Sequence, residues 1–250
     1  LRWTVTISKT PTNKYFVSVL VDNKKELPSK KKIKESTTVG IDLGIKSLIV
    51  ASDGLEIDNP KYLKQSISRL KYLSRQVSKK VKGSSHRKKA VLRLAKCHEQ
   101  IKNKRKDFLQ KLSSDLIKNH DTICIENLAV SNMVKNHSLA QAISDSGWTM
   151  FVQMLKYKAD WYGKNILQIG RWEASTKTCC KCGTQNHNLT LADREWTCAN
   201  CETLHNRDIC AAINIKNFAL LSVERTLKNL TELPTLAGAL KLDTPLLTAG

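Results

Sequence analysis

The chain has 250 residues, 41% of them hydrophobic, and a formal net charge of +20. Such a length accommodates one sizeable core, either as one large domain or as a domain carrying a compact insertion. No apolar run is long enough to span a bilayer, and Leu1-Arg2-Trp3-Thr4 lacks the apolar core of a signal peptide, so the expected location is the cytosol. A charge of this size favours polyanionic partners, nucleic acid first.

Residues 3–8 and 15–21 alternate or run β-branched around a Pro-Thr-Asn turn and are expected to form a hairpin. The chain opens directly in this strand-like sequence with Leu rather than Met, as expected of a fragment of a longer protein. Lys24 to Lys34 forms a polar connector. Thr37 to Asp42 and Leu48 to Ala51 then give a strand pair around Gly44, followed by a Ser52-Asp53-Gly54 turn and a short strand near Leu55-Glu56-Ile57.

From Pro60 the period changes. Leu63, Ile67, Leu70, Leu73, Val77 and Val81 recur at helical spacing, Gly83-Ser84-Ser85 interrupts them, and a second helical run continues through Val91, Leu94, Ile101, Phe108, Leu112 and Leu116. Residues 61–120 hold 19 Lys or Arg against the three acids Glu99, Asp107 and Asp115, which is +16 of the +20. An antiparallel helical hairpin with basic outer faces follows, and Lys79, Lys80, Lys82, Arg87, Lys88, Lys89, Lys104 and Arg105 are its candidate nucleic-acid contacts. A membrane-surface helix is the rival, but this stretch offers only Tyr62, Tyr72 and Phe108 as interfacial aromatics.

Thr122-Ile123-Cys124-Ile125 reads as a buried strand ending in Glu126. Trp148 to Tyr162 reads as a helix, Ile166 to Ile169 as a strand and Arg207 to Ala219 as a last amphipathic helix. Residues 221–250 are expected to be a poorly ordered tail.

Five of the eight cysteines crowd into 23 residues, which points to metal rather than to a secreted disulfide framework. Cys179 and Cys182, then fifteen residues, then Cys198 and Cys201 give the paired C-x2-C spacing of a structural zinc site spanning about 177–203. Two such turns complete a tetrahedron of thiolates around one Zn2+ and leave no open position for chemistry. Cys180 is left over, His187 and His205 are read as loop residues, and Cys97, Cys124 and Cys210 as small buried residues.

Catalysis therefore has to come from elsewhere, and three acids stand out. Asp42 lies inside the apolar Gly40-Ile41-Asp42-Leu43-Gly44, Glu126 ends a strand and Asp208 opens the last helix. A carboxylate in apolar surroundings calls for a cation, a metal or a hydrogen-bond network. Acids at two strand ends and a helix start can converge in a ribonuclease H-type α/β fold, there to hold one or two Mg2+ ions for in-line phosphodiester hydrolysis. Taken singly, Asp208 could equally be a helix cap and Glu126 a structural ion-pair member.

Val39 to Gly44, Ile123 to Leu128, Lys177-Thr178-Cys179 with the ribbon, and Asn206-Arg207-Asp208 through Ile215 resemble, in order, the successive blocks of the TnpB (OrfB) proteins of insertion sequences, relatives of the type V CRISPR effectors. The resemblance covers roughly residues 1–220. It implies a RuvC-like nuclease with a mixed sheet and flanking helices, in which Asp42, Glu126 and Asp208 are Mg2+ ligands and Arg207 contacts phosphate. It also implies a transposon-derived guide RNA, a DNA target and a prokaryotic, nucleoid-associated setting; the family has long been called transposases.

On that pattern residues 1–34 are a remnant of a β-rich wedge domain. Residues 35–220 are the nuclease domain, with the hairpin at 60–119 and the ribbon at 177–203 inserted. The family's N-terminal helical domain, which serves guide and target-motif recognition, has no counterpart. The family commonly has Asp at 206 and Asn at 210, where this chain has Asn206 and Cys210. Two rivals accompany this reading: a zinc-ribbon protein that binds nucleic acid without cutting it, and an actin-like ATPase suggested by Asp42-Leu43-Gly44 with Lys46-Ser47 but lacking further glycine-rich phosphate loops.

Overall fold

The computed structural model describes residues 4–190 and 192–231. The expected hairpin is β1 (Thr4–Lys9) paired antiparallel with β2 (Tyr15–Leu20), exposed along its whole length. It touches the rest of the protein through Glu99, whose carboxylate accepts from the Thr12 hydroxyl at 2.8 Å and pairs with Lys14 at 2.9 Å.

A five-stranded sheet carries the core. Its strands are β3 (Thr38–Leu43), β4 (Ser47–Ala51), β5 (Glu56–Asp58), β6 (Thr122–Glu126) and β7 (Asn165–Ile169), in the spatial order β5-β4-β3-β6-β7. The β5-β4-β3 side is antiparallel and the β3-β6-β7 side parallel, so the sheet is mixed. Parallel neighbours need helical crossovers to join them. Between β5 and β6 lie α1 (Tyr62–Ser78) and α2 (Ser85–Asn119); between β6 and β7 lie the short α3 (Val130–Met133) and α4 (Ala140–Ser146), then α5 (Trp148–Trp161).

Strand alternation sorts the sheet into two faces. Val39, Ile41 and Leu43 of β3 and Ile123 and Ile125 of β6 point one way, into a core with Leu109, Leu112 and Leu116 of α2 and Phe151 and Leu155 of α5. Cys124 lies on the opposite face of β6, against Ile215 and Ala219 of the last helix, α6 (Arg207–Thr231). Between β7 and α6 the chain forms the small antiparallel pair β8 (Glu195–Thr197) and β9 (Leu204–Asn206) within the cysteine-rich segment. Helix α6 continues beyond Ala219 to Thr231, so the first part of the expected poorly ordered tail is helical; residues 232–250 lie outside the described residues. No helix among the described residues is long and apolar enough to cross a membrane.

The α1-α2 hairpin forms as the periodicity implies, closed by Leu70 against Cys97 and Ile101. Ser84 caps α2, accepting from Arg87 N at 3.2 Å. Helix α1 has no such residue of its own: Lys61 precedes it in the left-handed region at φ 49°. Asp145 of α4 supplies the cap instead, accepting from Leu63 N at 2.9 and 3.0 Å and from Lys64 N at 3.2 Å.

Asp145 also accepts from Arg105 Nη2 at 2.7 Å, with side-chain exposures of 3% and 19%. Arg105 is therefore a structural residue and not the nucleic-acid contact expected from the charge run: a guanidinium this enclosed is held by the carboxylate it neutralises. Removing the carboxylate leaves that guanidinium and the helix start without a partner. Asp145→Ala is expected to destabilise the protein by about 3–5 kcal/mol in denaturant unfolding.

Candidate active site and metal centre

Parallel pairing of β3 with β6 matches Ile41 with Ile125, so the next residues along, Asp42 and Glu126, stand side by side at the carboxyl ends of adjacent strands. By alternation they share the face of Gly40 and Cys124, which is the face covered by α6. Gly40 allows that covering. A Cβ at this position would lie 2.0 Å from the Ala212 carbonyl oxygen and 2.7 Å from Lys216 N, so only glycine lets the helix backbone come this close. Ala211 and Ala212 are small enough to complete the contact and are buried. The first turn of α6, with Asp208, is thereby brought to the two strand ends.

Asp208 does not cap the helix that it opens. Asn206 Oδ1 does so, accepting from Asp208 N and Ile209 N, each at 3.1 Å. The capping alternative for Asp208 thus falls, and the Asn at 206 acquires a purpose. The ion-pair alternative for Glu126 falls as well: among the described residues it has no ion pair, and its Oε1 accepts a short hydrogen bond from the Ser175 hydroxyl.

The three carboxylates feel one another. Asp42 is pushed from 3.8 up to about 7, first by burial and then by the negative charges of Glu126 and Asp208; Arg207 opposes the shift. They do not, however, close into one ligand cluster. The sets of His, Cys, Asp or Glu whose ligand atoms all lie within 4.8 Å of one another are, among the described residues, Cys179-Cys182-Cys198-Cys201 and Cys180-His205-Cys210. Two arginines hold Asp208: Arg194 Nη1 lies 2.8 Å from Oδ2, and Arg207 Nη2 and Nε lie 3.0 and 3.2 Å from Oδ1. Guanidinium groups so placed offset the negative charge that the carboxylates bring together.

Arg207, expected at phosphate, is buried and turned to Asp208 and to the Thr190 carbonyl oxygen at 3.2 Å. Arg87 is also engaged: its Nη1 donates to the carbonyls of Val77 and Lys80 at 2.9 and 3.1 Å and so closes the end of α1. Lys79, Lys80, Lys82, Lys88, Lys89 and Lys104 are exposed. Ser175 and Arg194 were not legible as site residues, and Asn206 only as a departure from the family pattern, since each acts through a partner that only the fold supplies.

The four ribbon cysteines do meet. Cys179 Sγ lies 3.6 Å from Cys201 Sγ, and Cys182 Sγ 3.6 Å from Cys198 Sγ. A tetrahedron with Zn–S of about 2.3 Å has edges of about 3.8 Å, so the set fits such an ion. The two halves are built alike. Cys179 N donates to Thr184 O and Gly183 N to Cys179 O; Cys198 N donates to Thr203 O and Glu202 N to Cys198 O. Each turn has a left-handed residue after its second cysteine, Gly183 at φ 77° and Glu202 at φ 53°.

The Thr184 and Thr203 hydroxyls sit 3.3 and 3.4 Å from the sulfurs of Cys182 and Cys201. Hydrogen bonding from Thr184 holds the Cys182 thiol down at about 5, and Thr203 lowers Cys201 likewise, whereas burial pushes Cys179 up to about 12. His187 is exposed, as a loop residue should be. His205 is not a loop residue: it is buried in β9, with Nε2 3.0 Å from Cys179 Sγ.

Known proteins are similar to this chain. A family described as "Probable transposase" (OrfB_IS605) matches residues 16–137, and one described as "Cas12f1-like, TNB domain" matches residues 148–215. A Streptomyces pristinaespiralis protein named "Putative RNA-guided DNA endonuclease" is 45% identical over 213 residues, covering 85% of this chain and 52% of its own length. The Escherichia coli protein named "Putative RNA-guided DNA endonuclease InsQ" is 29% identical over 226 residues, covering 84% and 55%. The chain thus spans about half the length of the curated relatives it matches.

Two solved structures share the fold. The "Cryo-EM structure of CRISPR-Cas12f Ternary Complex" matches with a TM-score of 0.56 at 21% identity over 86% of this chain and 45% of that one. The "Cryo-EM structure of the Cas12f1-sgRNA-target DNA complex" matches at 0.53 and 19% over 85% and 55%. With matching blocks in the same order along sequence and fold, the chain belongs to the OrfB (TnpB) family of insertion-sequence proteins.

Proposed function

We propose that this chain is the RuvC-like nuclease part of an RNA-guided DNA endonuclease, with Asp42, Glu126 and Asp208 as the ligands of one or two Mg2+ ions. One observation carries the proposal: two adjacent strand ends and a helix start bring three carboxylates together, where burial first and the charges of Glu126 and Asp208 second raise Asp42 to about 7. A cation among them would neutralise that charge, and an all-oxygen ligand set suits a hard divalent ion. The mixed sheet, in which β4 alone runs opposite to the other four strands, is also the arrangement of a ribonuclease H-like domain.

Bound Mg2+ would polarise the scissile phosphate and stabilise the attacking and leaving oxygens. The protein's own residues would do the rest. Ser175 orients Glu126, Asn206 frees Asp208 from capping, and Arg194 and Arg207 position Asp208. The exposed lysines of the α1-α2 hairpin would follow a nucleic-acid backbone, guide RNA or DNA, without reading its sequence. Cys179, Cys182, Cys198 and Cys201 would hold a structural Zn2+. In domain terms residues 1–34 are a wedge remnant and residues 35–220 the nuclease domain, with insertions at 60–119 and 177–203.

A second reading, binding of nucleic acid without cleavage, is favoured by one feature: Asp208 is engaged by two arginines and the carboxylates form no closed cluster. The two separate on cleavage of duplex and single-stranded DNA in Mg2+ by protein co-expressed with its transposon RNA. Cleavage lost by about a thousandfold or more in Asp42→Ala supports the nuclease; binding with no Mg2+-dependent cleavage, or equal cleavage by both proteins, supports the second reading.

A further inference from the structure

A second group of soft ligands lies beside the four-cysteine cluster, and neither the ribbon spacing nor the carboxylate site uses it. Cys180, His205 and Cys210 offer two sulfurs and a ring nitrogen within 4.8 Å of one another. His205 and Cys210 are buried and Cys180 half-buried. They come from three places that only the fold joins: the first cysteine turn, β9 and the first turns of α6.

The two nitrogens of His205 face different sulfurs. Nε2 lies 3.0 Å from Cys179 Sγ and Nδ1 3.6 Å from Cys180 Sγ. A Cys179 thiolate already bound to a cation accepts a hydrogen bond, which puts the ring proton on Nε2 and leaves a lone pair on Nδ1. That lone pair faces Cys180. An ion with bonds of about 2.3 Å to sulfur and about 2.0–2.1 Å to nitrogen separates the two ligand atoms by about 3.5–3.8 Å, and the 3.6 Å spacing falls in that range.

Cys210 is prepared in a similar way. Its sulfur accepts from Cys180 N at 3.2 Å and lies 3.9 Å from Asn214 Nδ2, so N–H groups surround it as they would a ligating thiolate. The Cys210 thiol also lies 3.4 Å from the Thr178 carbonyl oxygen. Two sulfurs and one imidazole, with no carboxylate, make a soft set. Three ligands suit a trigonal Cu+ ion, or Zn2+ completed by water.

We propose that Cys180, His205 and Cys210 form a second metal site, for a thiophilic d10 cation, adjacent to the four-cysteine site. The proposal rests on the reading of the four-cysteine cluster as a filled metal site, which fixes the His205 tautomer. Cys180 follows Cys179 directly and Cys210 lies two residues beyond Asp208. An ion here therefore ties the first cysteine turn to the helix turn that carries the third carboxylate.

Native mass spectrometry of the full chain, purified without oxygen, tests this with Zn2+ and buffered Cu+ as separate probes. The wild type is expected to hold one zinc firmly and to take up a second ion, Zn2+ in one arm or Cu+ beside the retained zinc in the other. The Cys180→Ser/Cys210→Ala double variant is expected to keep the first zinc, which reports an intact ribbon, and to lose the second ion. Saturation of the wild type at one ion in both arms overturns the proposal. So does a second ion bound equally by the double variant, or Cu+ taken up only by displacing zinc. Failure of the wild type to hold even the first zinc overturns the reading of the four-cysteine site instead.

Discussion

Cys198→Ser is expected to abolish metal binding at the four-cysteine cluster and to unfold the cysteine-rich segment while the central sheet stays folded. The reason lies in what the ribbon has for a core. Its buried cluster consists of Cys179, Leu189, Trp196, Cys198 and Cys210, with Cys180 and Cys201 packed against it. Cysteines thus supply most of that cluster, and two ordinary apolar side chains are far too few to repay the ordering of a segment this long. Metal binding is then folding free energy, of order 10–16 kcal/mol in small zinc domains. Hydrogen exchange should show the peptide containing β8 losing protection by at least a hundredfold in the variant or in chelator, with β3 and β6 unchanged. A ribbon equally protected with and without metal would remove the metal from its structural role.

The same variant should loosen Asp208. Arg194, which holds Oδ2, belongs to the ribbon, and the backbone N–H of Arg207 donates to the Arg194 carbonyl at 2.8 Å. The four-cysteine cluster and the carboxylate site, separate in sequence and in chemistry, are therefore linked, Arg194 being the residue that reaches the carboxylate itself. Loss of the ribbon should lower any Mg2+-dependent activity without touching Asp42 or Glu126.

What could be read from the sequence was whatever a local pattern dictates. Period-two and period-3.6 runs gave the strands and the two long helices, because burial of one face depends only on residues a few positions apart. The paired C-x2-C turns were legible for the same reason. Contacts across long separations were not. Nothing near Leu63 announces that its helix is capped by Asp145, and nothing near Arg105 announces that this arginine leaves the basic face to neutralise that cap. Charge counting treats every Lys and Arg in 61–120 alike, whereas the fold sets Arg87 and Arg105 apart from the exposed lysines. His205 was misread because β9 is three residues long, too short for a period to show. Asn206 and Cys210, departures from the family pattern, turn out to be a helix cap and a buried thiol.

Stability should depend on pH through Asp42 in a way that Mg2+ reverses. Its folded-state value of about 7 lies above the ordinary 3.8, so the folded protein binds this proton more tightly than the unfolded chain does. In chelator the contribution is fully present below about pH 4 and is lost as pH rises through about 7. A shift of that size corresponds to about 4 kcal/mol at most, and water reaching the half-buried carboxylate brings it nearer 2. Asp42→Asn, which cannot ionise, removes the term. The stability difference between variant and wild type in chelator should therefore grow by about 2–4 kcal/mol between pH 4 and pH 8, measured by denaturant unfolding at each pH. A divalent cation interacts with the ionised form, so millimolar Mg2+ should recover most of the loss in the wild type at pH 8 and nothing in the variant. A difference independent of pH would mean that folding leaves the Asp42 carboxyl at its ordinary value. Equal stabilisation of both proteins by Mg2+ would place the ion elsewhere than at this carboxylate.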